Sequence, residues 1–265
     1  MTILGRLKSL TVPDRAFELD VRNTYFALRI AAGLIGLLLP VVLVGWGHWH
    51  NVAASAMTSL SAFYWLSLLP PLDANALLRN WFVGSLIAEG ICLVIYKGYG
   101  NLENWLLNVA GLAAVVVALN PMPCHNVGAL TAAQCLQQHE ETGPVHYGAA
   151  ISFFLMIAAT IWFCADDTLA DVDPKLRARW QLYYKAFALA MVAAPLIAFL
   201  SVEENVRTIW VEVAGVWVFS WYWFAKTYEL SRVSMIEPPS GPPPKVRRID
   251  GRLEIVRSGI SDLKT

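Results

Sequence analysis

"YFALRIAAGLIGLLLPVVLVGW", residues 25–46, is a continuous apolar stretch that carries a single charge, at Arg29. An α-helix rises 1.5 Å per residue, so about 20 apolar residues are needed to cross the roughly 30 Å hydrocarbon core of a bilayer. The whole chain has the same character, because 57% of its residues are hydrophobic and only 15% are charged. Soluble domains carry about 25% charged residues. The sequence therefore predicts an integral membrane protein.

The rest of the chain contains further stretches of the same length and character. They lie at about 74–97, 102–121, 146–165, 183–202 and 208–228. We therefore predict an all-α polytopic membrane protein with six transmembrane helices. The predicted parts are a cytoplasmic N-terminal segment (1–24), a six-helix transmembrane domain (25–228) and a Pro-rich, basic cytoplasmic tail (229–265). A strand pair or a short helix is expected in the tail around "RLEIVR", and Asp173–Pro174 predicts the start of the fifth helix.

Residues 52–69, "VAASAMTSLSAFYWLSLL", could form a seventh crossing, but the stretch is interrupted by several hydroxyl side chains. Positively charged residues favour the cytoplasmic side of a membrane. With six crossings and both termini inside, Arg79 and Arg207 are the only basic residues of the loops that fall outside. A seventh crossing would move "KLRAR" and the basic tail outside. We therefore predict a bacterial-type inner membrane protein in which 52–69 is an interfacial or re-entrant outer segment.

All five histidines lie on the predicted outer side, and two of them stand in "GWGHWHN", residues 45–51. Imidazole is the commonest metal ligand in proteins. However, His48 and His50 are two residues apart, which would place their rings on different sides of a helix. The alternative is that both are interfacial residues beside Trp46 and Trp49, and we assign no metal site and no cofactor.

Polar residues at similar depth predict an outward-facing pocket. Asn120 ends the third helix, His146 begins the fourth, and Glu212 lies about five residues inside the sixth. We expect these three side chains to line one pocket, roofed by residues 47–69, with His48 or His50 reaching into it. Such a pocket would suit a proton, a cation or a zwitterionic headgroup. The alternative is that the histidines face water and Glu212 pairs with Arg207.

Two further charges lie inside the predicted spans, where a charge costs at least about 2.5–3.5 kcal/mol. Arg29 is in the first helix and Glu89 is in the second. Counting residues from the inner ends of these helices places them at compatible depths. We therefore predict an intramembrane ion pair between Arg29 and Glu89.

The chain has four cysteines. Cys124 and Cys135 share the same outer loop, and an oxidising compartment would permit a bond between them. We predict a disulfide there, while the rival hypothesis makes Cys124 and His125 metal ligands. Cys92 and Cys164, inside predicted helices, are interpreted as small apolar packing residues.

The stretch "YKGYGNLENWLLNVAGLAAVVVALNP", followed by "HYGAAISFF", resembles uncharacterised bacterial six-helix inner-membrane proteins of unknown function over about residues 80–165. This resemblance implies the architecture and no activity. Ser59, Ser61 and His146 also invite comparison with the alkaline ceramidases and adiponectin-receptor-like proteins, which are seven-helix zinc enzymes. The last helix, however, carries "WYWFAKTYE" and no His-x-x-x-His pair.

Three functions remain open at the level of sequence. An interaction or assembly protein without its own catalysis is favoured, since the chain has no phosphate-binding glycine loop and no nucleophile elbow. A transporter or lipid-headgroup binder that uses Glu89 and Glu212 is the first alternative, and a metal-dependent lipid hydrolase is the second. The expected partners are membrane lipids and, for an assembly protein, another membrane protein. Because twenty Lys and Arg balance twenty Asp and Glu, no nucleic acid is expected.

Overall fold

The computed structural model describes residues 15–69, 72–124, 127, 130–131, 135, 143–169, 172–233, 245–249 and 252–256. Six long helices account for most of them. They are α1 (Arg15–Trp49), α2 (Leu72–Ile95), α3 (Asn101–Leu119), α4 (Gly143–Cys164), α5 (Pro174–Ser201) and α6 (Glu204–Val233). The described ranges also contain three short 3₁₀ helices, at Ala54–Ala56, Ser61–Leu68 and Asp167–Leu169.

Helices α1 to α5 are long and apolar enough to cross a membrane, which makes five candidate spans in the described part of the chain. This agrees with a multi-pass membrane protein. The sixth predicted crossing lies in α6, which has 30 residues but is not among the five. Glu212 and four tryptophans lower its mean hydropathy.

The chain divides into two compact units, residues 1–229 and 230–265. In the first unit, α2 packs against α1 and α3, α4 packs against α3, and α5 packs against α4. The described part of the second unit includes an antiparallel hairpin of β1 (Lys245–Ile249) and β2 (Arg252–Val256), with Arg247 opposite Glu254. A strand pair therefore forms around "RLEIVR", as one of the two predicted alternatives.

Small residues allow the helices to approach closely. A Cβ atom on Gly90 of α2 would lie 2.6 Å from the carbonyl oxygen of Gly111 on α3, so neither glycine can be replaced without moving the backbone. Gly33 of α1 faces the ring of Phe224 on α6 in the same way. Small residues at such crossings are the usual means by which membrane helices reach close packing. Helix α6 therefore packs directly on α1.

The two ends of the first unit are named here by what they contain. The disulfide end includes the C-termini of α1 and α3 and the N-termini of α2, α4 and α6. The lysine end includes the opposite termini and the side chain of Lys226.

Helix α5 is the least buried candidate span, because only 17% of its apolar stretch is buried. It begins as predicted, because the Asp173 carboxylate accepts hydrogen bonds from the backbone N–H groups of Lys175 and Leu176 and Pro174 is the first helical residue.

Residues 52–69 form no α-helix. The longer 3₁₀ helix in this stretch, Ser61–Leu68, has eight residues, and at about 2.0 Å per residue it reaches roughly half of the hydrocarbon thickness. Phe63 and Leu66 are fully buried against α2 and its neighbours. We call residues 52–69 the cap. The cap is thus part of the packed core at the disulfide end.

Candidate functional site

Glu212 of α6 links the cap to the bundle through hydrogen bonds. Its Oε2 atom accepts a hydrogen bond from the backbone N–H of Leu60 at 2.6 Å, and the Ser59 hydroxyl donates to the same carboxylate at 2.8–2.9 Å. Ser59 in turn accepts from the backbone N–H of Ser61 at 3.0 Å. The Glu212 carboxylate is therefore bonded directly to the cap.

A backbone contact next to Glu212 strengthens this junction. The N–H of Ile209 in α6 donates to the carbonyl oxygen of Thr58 at 3.0 Å. The chain turns from α1 towards the cap at Asn51, whose φ of 56° lies in the left-handed region that asparagine tolerates better than most residues. Residues 58–60 are thus bonded to α6 by both backbone and side-chain groups.

His146 lies at the same end but bonds elsewhere. Its side chain is 1% exposed, and Nδ1 lies 2.7 Å from the backbone carbonyl oxygen of Asn120. The Asn120 amide donates to the carbonyl oxygen of Val116. The structure therefore brings His146 to the backbone of Asn120. Among the hydrogen bonds of the described residues, none joins His146 to Glu212.

The two histidines of "GWGHWHN" have different surroundings. The His50 ring packs on the Trp46 ring, with 4.8 Å between centroids. His48 lies at the end of a surface groove between α1 and α6. His50 therefore packs on Trp46, whereas His48 lines the groove.

The groove between α1 and α6 has a volume of about 300 Å³. We call it the lateral groove, because several of the side chains that line it are also exposed at the outer surface of the bundle, among them Val41 (49%) and Trp210 (49%). Its walls come from α1, from the cap and from α6, and are almost entirely apolar. The main contributors are Pro40, Gly45, Met57, Ile209, Trp210 and Trp217.

Two residues of α1 that line the groove, Pro40 and Gly45, leave space unfilled there. Pro40 lacks a backbone N–H, so one helical hydrogen bond is missing at this point. Gly45 has no side chain, and a Cβ atom added there would meet no other atom within 4 Å. The groove is therefore an unfilled space in a region where a larger residue would fit.

A second cavity, of about 70 Å³, lies inside the bundle. We call it the interior cavity. Its polar lining consists of Glu212 and Ser61, and the remaining side chains are apolar, including Phe82, Leu86 and Ala114. The carboxylate that holds the cap is thus also the main polar group of an otherwise apolar interior space.

The predicted Arg29–Glu89 ion pair is wrong. Both carboxylate oxygens of Glu89 are buried without a hydrogen-bond partner among the described residues. The guanidinium of Arg29 donates to the Tyr96 hydroxyl and lies 4.7 Å from the centroid of the Tyr25 ring and 4.9 Å from that of Tyr96. Tyrosine rings and one hydroxyl therefore replace the expected carboxylate as the partner of Arg29.

A buried charge cluster at the lysine end was not predicted from the sequence. Lys226 and Glu229 of α6 form an ion pair at 3.0 Å, with side chains 2% and 0% exposed. Lys226 also donates to the Thr168 hydroxyl at 2.6 Å, and Glu229 accepts from the Tyr184 hydroxyl at 2.7 Å. The i, i+3 spacing of the pair was the available signal. Both charged groups of the cluster are therefore bonded within the protein. Through Tyr184 and Thr168 the cluster joins α6 to α5 and to the turn after α4.

The predicted disulfide is present. Cys124 and Cys135 are bonded in the structure, and both are buried. The Trp65 indole of the cap donates to the carbonyl oxygen of Met122, two residues before the disulfide. His125 and His139 of this loop lie outside the described residues. A metal site at Cys124 and His125 would need the free thiolate of Cys124, and the bond to Cys135 removes that thiolate.

Within the described ranges, no group of three or more His, Cys, Asp and Glu side chains is arranged to hold a metal ion. Comparison of the chain with known proteins gives no lead to its activity. No protein-family model, no curated protein and no solved structure matches it. The lateral groove, the interior cavity and the polar contacts around them are therefore the basis for assigning a function.

Proposed function

We propose that this chain is a six-helix inner-membrane protein that binds a membrane lipid in the lateral groove and has no catalysis of its own. The single observation that supports this function is the groove, an open apolar space of about 300 Å³ between two membrane helices. That volume is at the lower end of the range typical of small-molecule sites. An acyl chain is the ligand class that fits its chemistry.

The proposed orientation places the disulfide end outside and both termini in the cytoplasm. Basic residues support it, since Arg79 of α2 and Arg207 of α6 are the basic residues near the disulfide end, whereas the loops and tail of the other side carry most of the remaining Lys and Arg. A disulfide at the outer end fits an oxidising compartment. In this orientation α6 is the sixth crossing, the cap lies in the outer leaflet, and the groove opens to outer-leaflet lipid.

The polarity of the groove changes along its length. Near Pro40 and Trp217 it is apolar, which suits an acyl chain. At its outer end His48 is the polar group, and Trp46 and Trp49 are exposed nearby along α1. Tryptophan is enriched at the headgroup level of membranes because its ring is apolar and its N–H is a donor. We therefore assign the headgroup to the His48 end.

Filling the groove tests this function. Gly45→Trp places a large side chain in the space where a Cβ meets nothing, so the protein should fold normally and lose bound lipid. Gly84→Trp is the matched control, because Gly84 on α2 also faces open space but does not line the groove. The measurement is native mass spectrometry of protein released from nanodiscs of defined phospholipid.

The expected result is that wild type and Gly84→Trp retain one more phospholipid per chain than Gly45→Trp does. Equal retention by all three proteins would contradict lipid binding in the groove. The assembly role favoured by the sequence stays a prediction. A partner that co-purifies in mild detergent, and is lost with a surface variant outside the groove, would support it.

A further inference from the structure

We propose that Glu89 and the interior cavity together form a proton-binding site, in which Glu89 is a neutral carboxylic acid that exchanges its proton with water in the cavity. This site is separate from the lateral groove. Its proposed ligands are water and a proton, and it gives a role to the one buried carboxyl group that the contacts described above leave without a partner.

The first argument is the state of Glu89 itself. The side chain is 4% exposed, and neither carboxylate oxygen has a hydrogen-bond partner among the described residues. An ionised carboxylate buried without a partner is strongly unfavourable, whereas the protonated acid avoids most of that cost. Arg29, the nearest predicted counter-ion, is bonded to Tyr96 instead. The neutral acid is therefore the form that fits these surroundings.

The second argument is the position of Glu89 relative to the cavity. Phe82 and Leu86 line the cavity, and Glu89 follows them by seven and three residues, so the three share one face of α2. Side chains of a helix lean towards its N-terminus. Because α2 begins at the disulfide end, the Glu89 side chain leans from its own turn towards the cavity, and Leu86 is only about 4.5 Å further along the axis.

The third argument is that the cavity can hold water. Its volume is about 70 Å³, and a water molecule takes about 30 Å³ of liquid volume, so about two waters fit. Buried waters need two to four polar partners. The Glu212 carboxylate and Ser61 line the cavity. Glu89 is not a lining residue itself, so in this proposal its carboxyl group meets the water at the Leu86 side of the cavity. Exchange is balanced, because Glu89–COOH and D₂O give Glu89–COOD and HDO.

Infrared spectroscopy tests this site directly. The wild-type protein in lipid vesicles at neutral pH should show the C=O stretching band of a protonated carboxylic acid, and Glu89→Gln should lose it. The band should shift after transfer into D₂O. A wild-type spectrum without any such band, or a band of unchanged intensity in Glu89→Gln, would overturn the proposal.

A cavity-filling variant tests whether water in the cavity carries the exchange. Ala114→Leu adds atoms to the cavity wall and should slow the D₂O shift of the Glu89 band severalfold. Gly84→Leu, on the same helix as Glu89 but outside the cavity, should leave the rate unchanged. If Ala114→Leu fails to fold, Ala150→Val makes a smaller change to the same wall. Unchanged exchange in a folded cavity variant would overturn the role of the cavity.

Discussion

The hydroxyl of Ser59 donates a hydrogen bond to the carboxylate of Glu212, 2.8 Å from Oε2. Two residues 153 positions apart are thereby joined, and the cap becomes a fixed wall of the lateral groove. Met57, which lines the groove, lies only two residues before Ser59. The function proposed for the groove therefore depends on this contact.

Removing the Ser59 hydroxyl should loosen the cap. Ser59→Ala leaves the half-buried carboxylate of Glu212 with fewer hydrogen-bond donors, and the expected loss is about 1–3 kcal/mol in the free energy of unfolding. The measurement is thermal or denaturant unfolding in nanodiscs. Ser55→Ala, at an exposed position of the same segment, is the control and should have little effect. Equal stability of the two variants would mean that the contact does not hold the cap.

Breaking the buried ion pair of α6 should cost more. Lys226→Met removes the cation and leaves Glu229 buried with its charge, which typically costs about 3–5 kcal/mol. Lys175→Met removes an exposed lysine and should be nearly neutral. The double variant Lys226→Met, Glu229→Leu should lose less stability than the sum of the two single variants. Strictly additive losses would show that the two charges do not interact.

The disulfide gives a thiol count that can be measured. Alkylation of the denatured protein without reductant should modify only Cys92 and Cys164, and reduction should add two more sites. The closed loop has a sequence separation of 11, for which chain entropy gives about 3 kcal/mol. Reduction should therefore lower the unfolding temperature. Four reactive thiols before reduction would rule the bond out.

The proposed orientation can be tested by labelling from outside intact cells or oriented vesicles. Trp49→Cys, at a position that is 81% exposed, should react with a membrane-impermeant maleimide. Arg177→Cys, exposed at the start of α5, should react only after the membrane is permeabilised. A reporter fused at Thr265 should indicate the cytoplasm. Labelling of Arg177→Cys but not Trp49→Cys from outside would show that the protein has the opposite orientation. If both cysteines react as expected but Thr265 is external, α6 does not cross the membrane.

The sequence predicted the features that depend on local pattern. Long apolar stretches located the helices, and Asp173 with Pro174 predicted the start of α5. The distribution of basic residues and the hydroxyl side chains of residues 52–69 argued against a seventh crossing, and the stretch forms no α-helix. The helix positions could be predicted because helix formation in a membrane depends mainly on the length and polarity of a single segment.

Predictions that required knowing which way a side chain faces around the helix axis were less accurate. Counting residues gave the depths of Arg29 and Glu89, but depth does not say which way a side chain faces, and Arg29 lies against Tyr25 and Tyr96. The Lys226–Glu229 pair was missed because its burial depends on Thr168 and Tyr184, which come from other segments. Such partners cannot be read from the helix that carries the charge.

The central claim is that a lipid acyl chain occupies the lateral groove. The most direct measurement is photo-crosslinking in nanodiscs with a phospholipid that carries a diazirine on its acyl chain, followed by mass spectrometric mapping of the labelled residues. We predict labelling concentrated on the groove residues of α1 and α6, such as Val44 and Val213, and its loss in Gly45→Trp but not in Gly84→Trp. Labelling that simply follows exposed apolar surface, strongest on α5 residues such as Leu189, and unchanged in Gly45→Trp, would contradict it.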